Sequence, residues 1–221
     1  MDTQSKDTAK NAQTHCTRCG TCCCRGGPAL HEDDLDLVVQ KKIAPENLYT
    51  IRKGELVYDN VNGGLMKTAA EIIKIKSAEG SGACIYYDRE QSACSIYEIR
   101  PVECRVMECW NTAAAEAFYA LDRIDRNSVF GNVDWIMDLI RTHEEKCGYE
   151  AIGELVENRR RRQPGAADKI SEALRYDAEM RRVLKEKTGL NAEFMDLVFG
   201  RPLEKTISVQ FGVKLEGGRN G

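Results

Sequence analysis

Five cysteines fall within nine residues near the start of the chain, in the run Cys16-Thr17-Arg18-Cys19-Gly20-Thr21-Cys22-Cys23-Cys24. Thiolates are soft ligands, and the two-residue gaps of Cys16-x2-Cys19-x2-Cys22 let one tight loop aim several sulfurs at a common point. Gly20 inside the run permits the backbone to wrap closely and turn its amides toward sulfur. So dense a set fits a metal or iron–sulfur site better than it fits buried core cysteines or disulfides. Cys84, Cys94, Cys104 and Cys109 follow far downstream, among glycine, proline and aromatic residues. The fold is expected to bring the two cysteine groups together.

At 221 residues the chain can bury a core without covalent staples, so its ten cysteines are not compensation for small size. Residues 1–13 are polar, so no secretory leader is expected, and no apolar run is long enough to span a membrane. A cytoplasmic location with reduced cysteines follows as the expectation. The net charge of -3 and pI near 5.8 argue against nucleic acid as the partner. Arg159, Arg160, Arg161 and Arg162 form a local exception. They read as a solvated helix end, where cations complement the dipole, with no interleaved aromatics for base stacking. Contact with a phosphate or an acidic partner is the alternative.

Along the chain, residues 1–14 read as a disordered tail. Residues 31–42 have Leu35, Val38 and Val39 at helical spacing, with Glu32, Asp33 and Asp34 where the dipole favours acids. Pro45-Glu46-Asn47 is expected to start a second helix that ends before Gly54. Residues 55–58, 71–76 and 84–87 are β-prone and separated by glycine-rich turns, which predicts two to four strands in one small antiparallel sheet. The strand starting at Cys84 should pair with residues 94–97 across the turn at Asp88. Beyond Trp110 the pattern is helical, at about residues 112–123, 132–146, 151–162 and 167–187, with Asn191 capping a short further helix. From Arg201 the alternation of Ile207, Val209, Phe211 and Val213 predicts a strand or an extended arm. The expected class is α+β: a tail over 1–14, a cysteine-cluster metal-binding region with a short sheet over 15–110, a helical region packed on it over 111–200, and an extended tail over 201–221.

Cys16-x2-Cys19-Gly20-x-Cys22-Cys23, followed by Cys94-Ser95-Ile96-Tyr97-x2-Arg100-Pro101-x2-Cys104-Arg105, resembles the YkgJ-type cysteine-cluster family. That family is described as a zinc- or iron-chelating domain with eight characteristic cysteines. The resemblance runs from Cys16 to about Trp110 and implies a ligand set of Cys16, Cys19, Cys22, Cys23, Cys84, Cys94, Cys104 and Cys109. Cys24 extends the family's usual pair to three, so more than one register of Cys22 to Cys24 fits. That family also resembles the cysteine region of flagellin lysine N-methylases, which implies iron–sulfur rather than zinc.

On ligand type alone, four thiolates bind Zn²⁺ or an iron–sulfur cluster equally well. The triple cysteine spacing with a remote fourth thiol is closer to cubane ligation, so one or two [4Fe–4S] clusters are expected, with zinc as the alternative. Eight thiols suffice for two four-ligand sites, and the spacing does not divide them. Arg18, Arg100 and Arg105 lie beside these thiols, where a guanidinium donating to sulfur would raise a reduction potential. Salt bridges to Glu98 or Glu103 are the alternative role. His143 and Cys147 share a helix face at i, i+4 spacing but continue the apolar face of Ile136 and Ile140, so a core cysteine and a boundary histidine are expected. His15 and His31 are surplus to the thiols, and Tyr97 and Trp110 are expected to shield the site from water.

The chain has no GxGxxG after a strand, no Walker A and no GxSxG, and the Cys-x3-Cys-x2-Cys pattern fails because Gly26 stands where a third cysteine is required. No catalytic residues are assigned. The expected function is electron transfer, or service as an accessory subunit of a redox enzyme complex, with a redox enzyme or electron carrier as protein partner. Residues 159–162, the helical face after Gly165 and the tail from Ile207 are the expected docking surfaces. A structural zinc-binding module and a cluster-dependent protein lysine methylase-like enzyme are the alternatives.

Overall fold

Isoleucines at 72, 73 and 75 favour a strand, and in the computed structural model, which describes residues 13–213, strand β4 (Ile72–Ile75) is the element on which the N-terminal half is built. It pairs antiparallel with β1 (Leu48–Ile51), Leu48 opposite Ile75 and Ile51 opposite Ile72. Its other edge takes the segment that leaves the cysteine run: Leu30 N–H donates to the Ile73 carbonyl at 2.9 Å and Ile75 N–H to the Pro28 carbonyl at 3.0 Å. Gly27 makes that approach possible, since a Cβ there would lie 2.3 Å from the Ile75 carbonyl oxygen.

Two further pairs are separate from this one. Strands β2 (Leu56–Tyr58) and β3 (Leu65–Lys67) form an exposed hairpin, and β5 (Tyr87–Asp88) and β6 (Ala93–Cys94) a shorter one. The expected single sheet is thus corrected to three two-stranded pairs, because the glycine turns between them redirect the chain. The helix expected from Pro45 is a single 3-10 turn (Pro45–Asn47) that leads directly into β1, where Leu48 and Thr50 are buried. Local proline chemistry suggests a helix start, but the burial of Leu48 and Thr50 on one face of the strand decides the outcome.

The helix expected over 31–42 is only one turn and a half, α1 (Leu35–Val39), entered through a 3-10 turn at Glu32–Asp34. Asp34 is fully buried and accepts from His31 N–H at 3.2 Å and Val102 N–H at 2.9 Å. Its role is to tie α1 to the start of α2 (Val102–Val106). Then come α3 (Ala113–Phe118), α4 (Arg126–Phe130), α5 (Asp134–Cys147), α6 (Tyr149–Arg160), α7 (Ala166–Thr188) and α8 (Met195–Phe199). The four-turn and longer helices stand close to where the periodicity puts them. Helix α3 is shorter than expected, and α4, capped by Asp125 accepting from Ser128 N–H at 2.8 Å, was not anticipated.

The extended tail expected from Arg201 is corrected for its first half: Leu203–Phe211 is helix α9. Leu203 and Ile207 are fully buried one turn apart while Val209 is 76% exposed, so the helical period, not the alternation, matches the burial. Asp177 anchors its first turn by accepting from Leu203 N–H at 2.9 Å. Residues 214–221, and all of the expected N-terminal tail except residues 13 and 14, lie outside the described residues. Among the described residues no helix is long and apolar enough to cross a membrane.

The main core joins Leu30, Ile73, Phe130, Ile140 and Phe199, and a smaller one joins Ile152, Ile170, Leu203 and Ile207. Through the packing runs a chain of charges. Arg126, almost wholly buried, donates to Glu71, to Glu144 at 2.8 Å and to the Val198 carbonyl at 2.8 Å. Arg52, fully buried, donates to the Cys147 carbonyl at 3.1 Å, lies 3.5 Å from the other Glu144 oxygen and stacks on Tyr149 at 4.3 Å. Burial alone would raise the Glu144 carboxyl, but Arg52 and Arg126 beside it hold it below the usual range. Glu144→Ala leaves two buried guanidiniums short of an anion, and urea unfolding is expected to show a loss of about 3–5 kcal/mol, the cost of breaking a buried pair from one side.

Candidate metal centre

Three segments surround the thiols. The first is the loop at 16–24, which turns through Arg18 (φ 57°) and Gly20 (φ 75°) and closes with Cys24 N–H donating to the Gly20 carbonyl at 2.8 Å. A Cβ on Gly20 would stand 1.9 Å from Tyr87 Oη, so only glycine lets the loop lie this close to the second segment, the β5–β6 hairpin. There Tyr87 is opposite Cys94, and Asp88 Oδ1 shapes the turn by accepting from Glu90 and Gln91 N–H at 2.9 and 3.0 Å. Loop and hairpin are joined where Cys84 N–H donates to the Cys23 carbonyl at 2.8 Å. The third segment is α2 and the turn after it, carrying Cys104 and Cys109. Asp34 holds its start, and Glu103 ties it to Ala29 N–H at 2.8 Å and to His31 at 3.3 Å.

Cys16, Cys19, Cys22, Cys23, Cys94 and Cys109 line a cavity of about 60 Å³ that Tyr87, Tyr97, Met107 and Trp110 also wall. Cys84 and Cys104 are not among the residues that line it. Among the described residues no three His, Cys, Asp or Glu side chains converge as a ready-made shell for one ion. The sulfurs ring a space instead. Of the three consecutive cysteines, Cys22 and Cys23 border the cavity, while Cys24 is exposed and is not among the residues that line it.

Crowding is visible in the thiol acidities. Burial pushes Cys22 up, and Cys109, Cys19 and Cys16 add to it. Burial, then Cys94, Cys84, Cys22 and Cys16, pushes Cys23 up to about 11. Cys104 has an exposed edge, yet the protein packed around its sulfur, followed by Cys84, Cys23 and Cys94, pushes it far above the thiol range. Burial likewise raises Cys84, with Lys74 opposing. Cys19, fully open to solvent, is lowered by its hydrogen bond with Thr21. Thiols so arranged cannot all ionise by themselves, whereas a bound cation removes both the desolvation and the repulsion. The donor set therefore fits a thiolate-bound metal or cluster.

Arg18 and Arg100 lie over the Tyr97 ring at 4.6 and 4.1 Å, Arg100 donates to the Tyr97 carbonyl at 2.7 Å, and Arg105 donates to the Arg100 carbonyl at 3.3 Å. Among the described residues none of these guanidiniums donates to a cysteine sulfur. The donor at the loop is the Arg18 backbone, 3.4 Å from Cys16 Sγ. Glu103 is taken by His31 and Ala29, so it is not their salt-bridge partner either. Lys74 went unnoticed in the sequence: burial lowers its ammonium, and Glu103, Cys104 and Cys84 lie close enough to oppose that. Its signal was the alternation in β4, which sets Lys74 on the face opposite buried Ile73 and Ile75.

His31 is buried, bonded to the Leu121 carbonyl at 2.6 Å, and His15 is exposed. Cys147 is remote from the other thiols, buried, near the Ala173 carbonyl at 3.5 Å, and pushed up to about 12 by burial. His143 is not at a boundary as expected but fully buried, 2.8 Å from Asp177 Oδ1. Burial holds the ring below its ordinary 6.5 against the pull of Asp177. Its Nδ1 has no partner, as suits a neutral ring with its proton on Nε2.

A family model, CxxCxxCC, described as a "putative zinc- or iron-chelating domain", matches residues 15–124. No curated protein matches, and no solved structure matches.

Two expectations follow from this geometry. Gly20→Ala forces a side chain onto a left-handed backbone and into Tyr87, so the metal-free chain should lose about 1–2 kcal/mol in urea unfolding. Because the fold keeps His143 neutral, the unfolded chain takes up a proton below its ordinary 6.5 that the fold refuses. Stability from this source is present above that value and is lost as pH falls below it. Unfolding curves between pH 7 and 5 should show the decline, and His143→Gln should flatten it.

Proposed function

As the chain belongs to the CxxCxxCC family through residues 15–124, and so carries a zinc- or iron-chelating cysteine-cluster domain, we propose that its thiols hold iron–sulfur of the [4Fe–4S] type and that it transfers electrons or serves as an accessory subunit of a redox complex. The residues that would hold the metal are Cys16, Cys19, Cys22, Cys23, Cys84, Cys94, Cys104 and Cys109. The observation that carries this reading is the wall of the cavity: among the described residues it presents six thiols and the Met107 thioether, with aromatic rings beside them and no carboxylate or imidazole. A cluster bound there supplies reversible one-electron uptake and release. The protein contributes aromatic walls from Tyr87, Tyr97 and Trp110, and positive charge close by from Arg18 and Arg100, both stacked on Tyr97. The loop thiols Cys16, Cys19 and Cys22 are exposed, which puts this edge within reach of a protein partner.

Anaerobic purification tests the reading directly. The full chain should be brown, should contain iron and acid-labile sulfide in equal amounts, and should bleach on addition of dithionite. A colourless protein with stoichiometric zinc would replace electron transfer by a structural zinc module, in which the metal holds the cysteine loop to the hairpin. Cys147→Ala should leave metal content unchanged in either case.

A further inference from the structure

Residues 159–162 and the helical face after Gly165 meet in one cleft. It encloses about 660 Å³ between the end of α6, one flank of α7 and the two ends of α9, and it shares no residue with the cysteine cavity. Along α7 it runs from Ala167 to Arg181, about 21 Å at the helical rise of about 1.5 Å per residue. The volume is that of a small-molecule pocket, but Ala167, Arg175 and Ala178 are exposed, so the space is a trough along the helix and not a chamber. We propose that this cleft receives an acidic amphipathic helix of about four turns from a partner protein.

The lining sets both faces of that helix. Ile170 and Leu174 of α7, Pro202 at the entry to α9 and Val213 beyond its end give the cleft apolar walls. Gly212 (φ 66°) turns the chain so that Val213 is buried there. Covering these walls needs an apolar face, which a helix supplies at i, i+3, i+4 and i+7.

The charges give the sign of the other face. Arg160 and Arg161 are each 3.5 Å from Glu157, and Arg160 donates to the Phe211 carbonyl at 2.9 Å. Arg181 donates to Asp177 at 3.0 Å and to the Gly200 carbonyl at 2.9 Å, while Asp177 also holds His143 and Leu203 N–H. These groups are satisfied within the protein. Arg159 and Arg175 differ: both line the cleft, both are exposed, and among the described residues neither guanidinium has an ion-pair or hydrogen-bond partner. Glu204, next to Leu203, is the one acid of the lining left unpaired among the described residues, so free positive charge is in excess. The whole chain carries -3, so attraction of an acidic segment is a property of this cleft and not of the overall charge. The proposal does not depend on which metal the thiols hold.

The test is fluorescence anisotropy with the full metal-loaded chain. The probe is a labelled peptide of about 14 residues with leucine on one helical face and glutamate on the other. Saturable binding that weakens with salt is expected, and the same peptide with lysine for glutamate should bind about tenfold more weakly or not at all. Arg159→Glu and Arg175→Glu should each weaken binding about fivefold or more. Ala178→Trp fills the cleft without changing charge and should weaken it about tenfold. Arg141→Glu, on α5 outside the cleft, should leave it within about twofold. All four replaced positions are exposed, so the variants should keep the helical circular dichroism of the parent. No binding of the glutamate peptide, equal binding of the lysine peptide, or unchanged affinity in Arg175→Glu and Ala178→Trp would overturn the proposal. Displacement of the peptide by octanoate at comparable concentration would make the cleft a small-molecule site. Tighter binding by a chain ending at Val213 would make residues 214–221 the occupant. Either result overturns the proposal as well.

Discussion

Thiols brought this close resist ionising together, and the N-terminal half of the molecule is the frame that brings them close. The loop presses on the hairpin at Gly20 and Tyr87, and the Cys84–Cys23 backbone bond fastens the two. Helix α2 is fixed by Asp34 and Glu103, two acids that serve as tethers. None of these contacts involves sulfur, so the backbone frame positions the donors independently of what they bind. A metal then adds its binding energy to a frame that already exists, and it must displace the protons that these thiols hold, so its affinity rises with pH.

The frame in turn depends on the helical body. Glu71, just before β4, is bonded to Arg126 of α4, which also reaches Glu144 of α5 and the α8 carbonyl of Val198. Thr50 of β1 donates to the Leu197 carbonyl at 2.6 Å, and Glu55 accepts from Arg201 at 2.9 Å. Strand β4 sits between these anchors and the cysteine site, with Ile73 and Ile75 in the core and Lys74 near Cys84 and Cys104. Buried charges of this kind add little net stability, since desolvation offsets the attraction, but they penalise any arrangement that breaks one partner away. That gives the helices after the matched domain a physical role: they hold β1 and β4 in register.

Much of this was legible from local pattern. The hairpin across Asp88 and the long helices α5, α6 and α7 announce themselves through turn chemistry and apolar spacing, which act over a few residues. Strand β1 and helices α4 and α9 did not, because each is short and its state is decided by what covers it. For α9, alternation of Ile207, Val209, Phe211 and Val213 competed with a helical period, and burial of Leu203 and Ile207 selected the helix. Arg52 and Arg126 carry no sequence signal of burial at all, since an arginine enters a core only where distant carboxylates and carbonyls meet it.

For the candidate site, the sequence alone determined the donor chemistry: ten thiols in a chain of this size, three of them at two-residue gaps, call for a soft metal whatever the fold. It also determined that a second cysteine group must return to the first. Only the tertiary structure decided that six of the thiols border one cavity, that Cys24 lies outside it, and that Arg18 and Arg100 stack on Tyr97. Spacing acts through a few bonds and can be read along the chain. Neighbourhood between residues so far apart is set by the packing of β4, α2 and the hairpin, which no local stretch encodes.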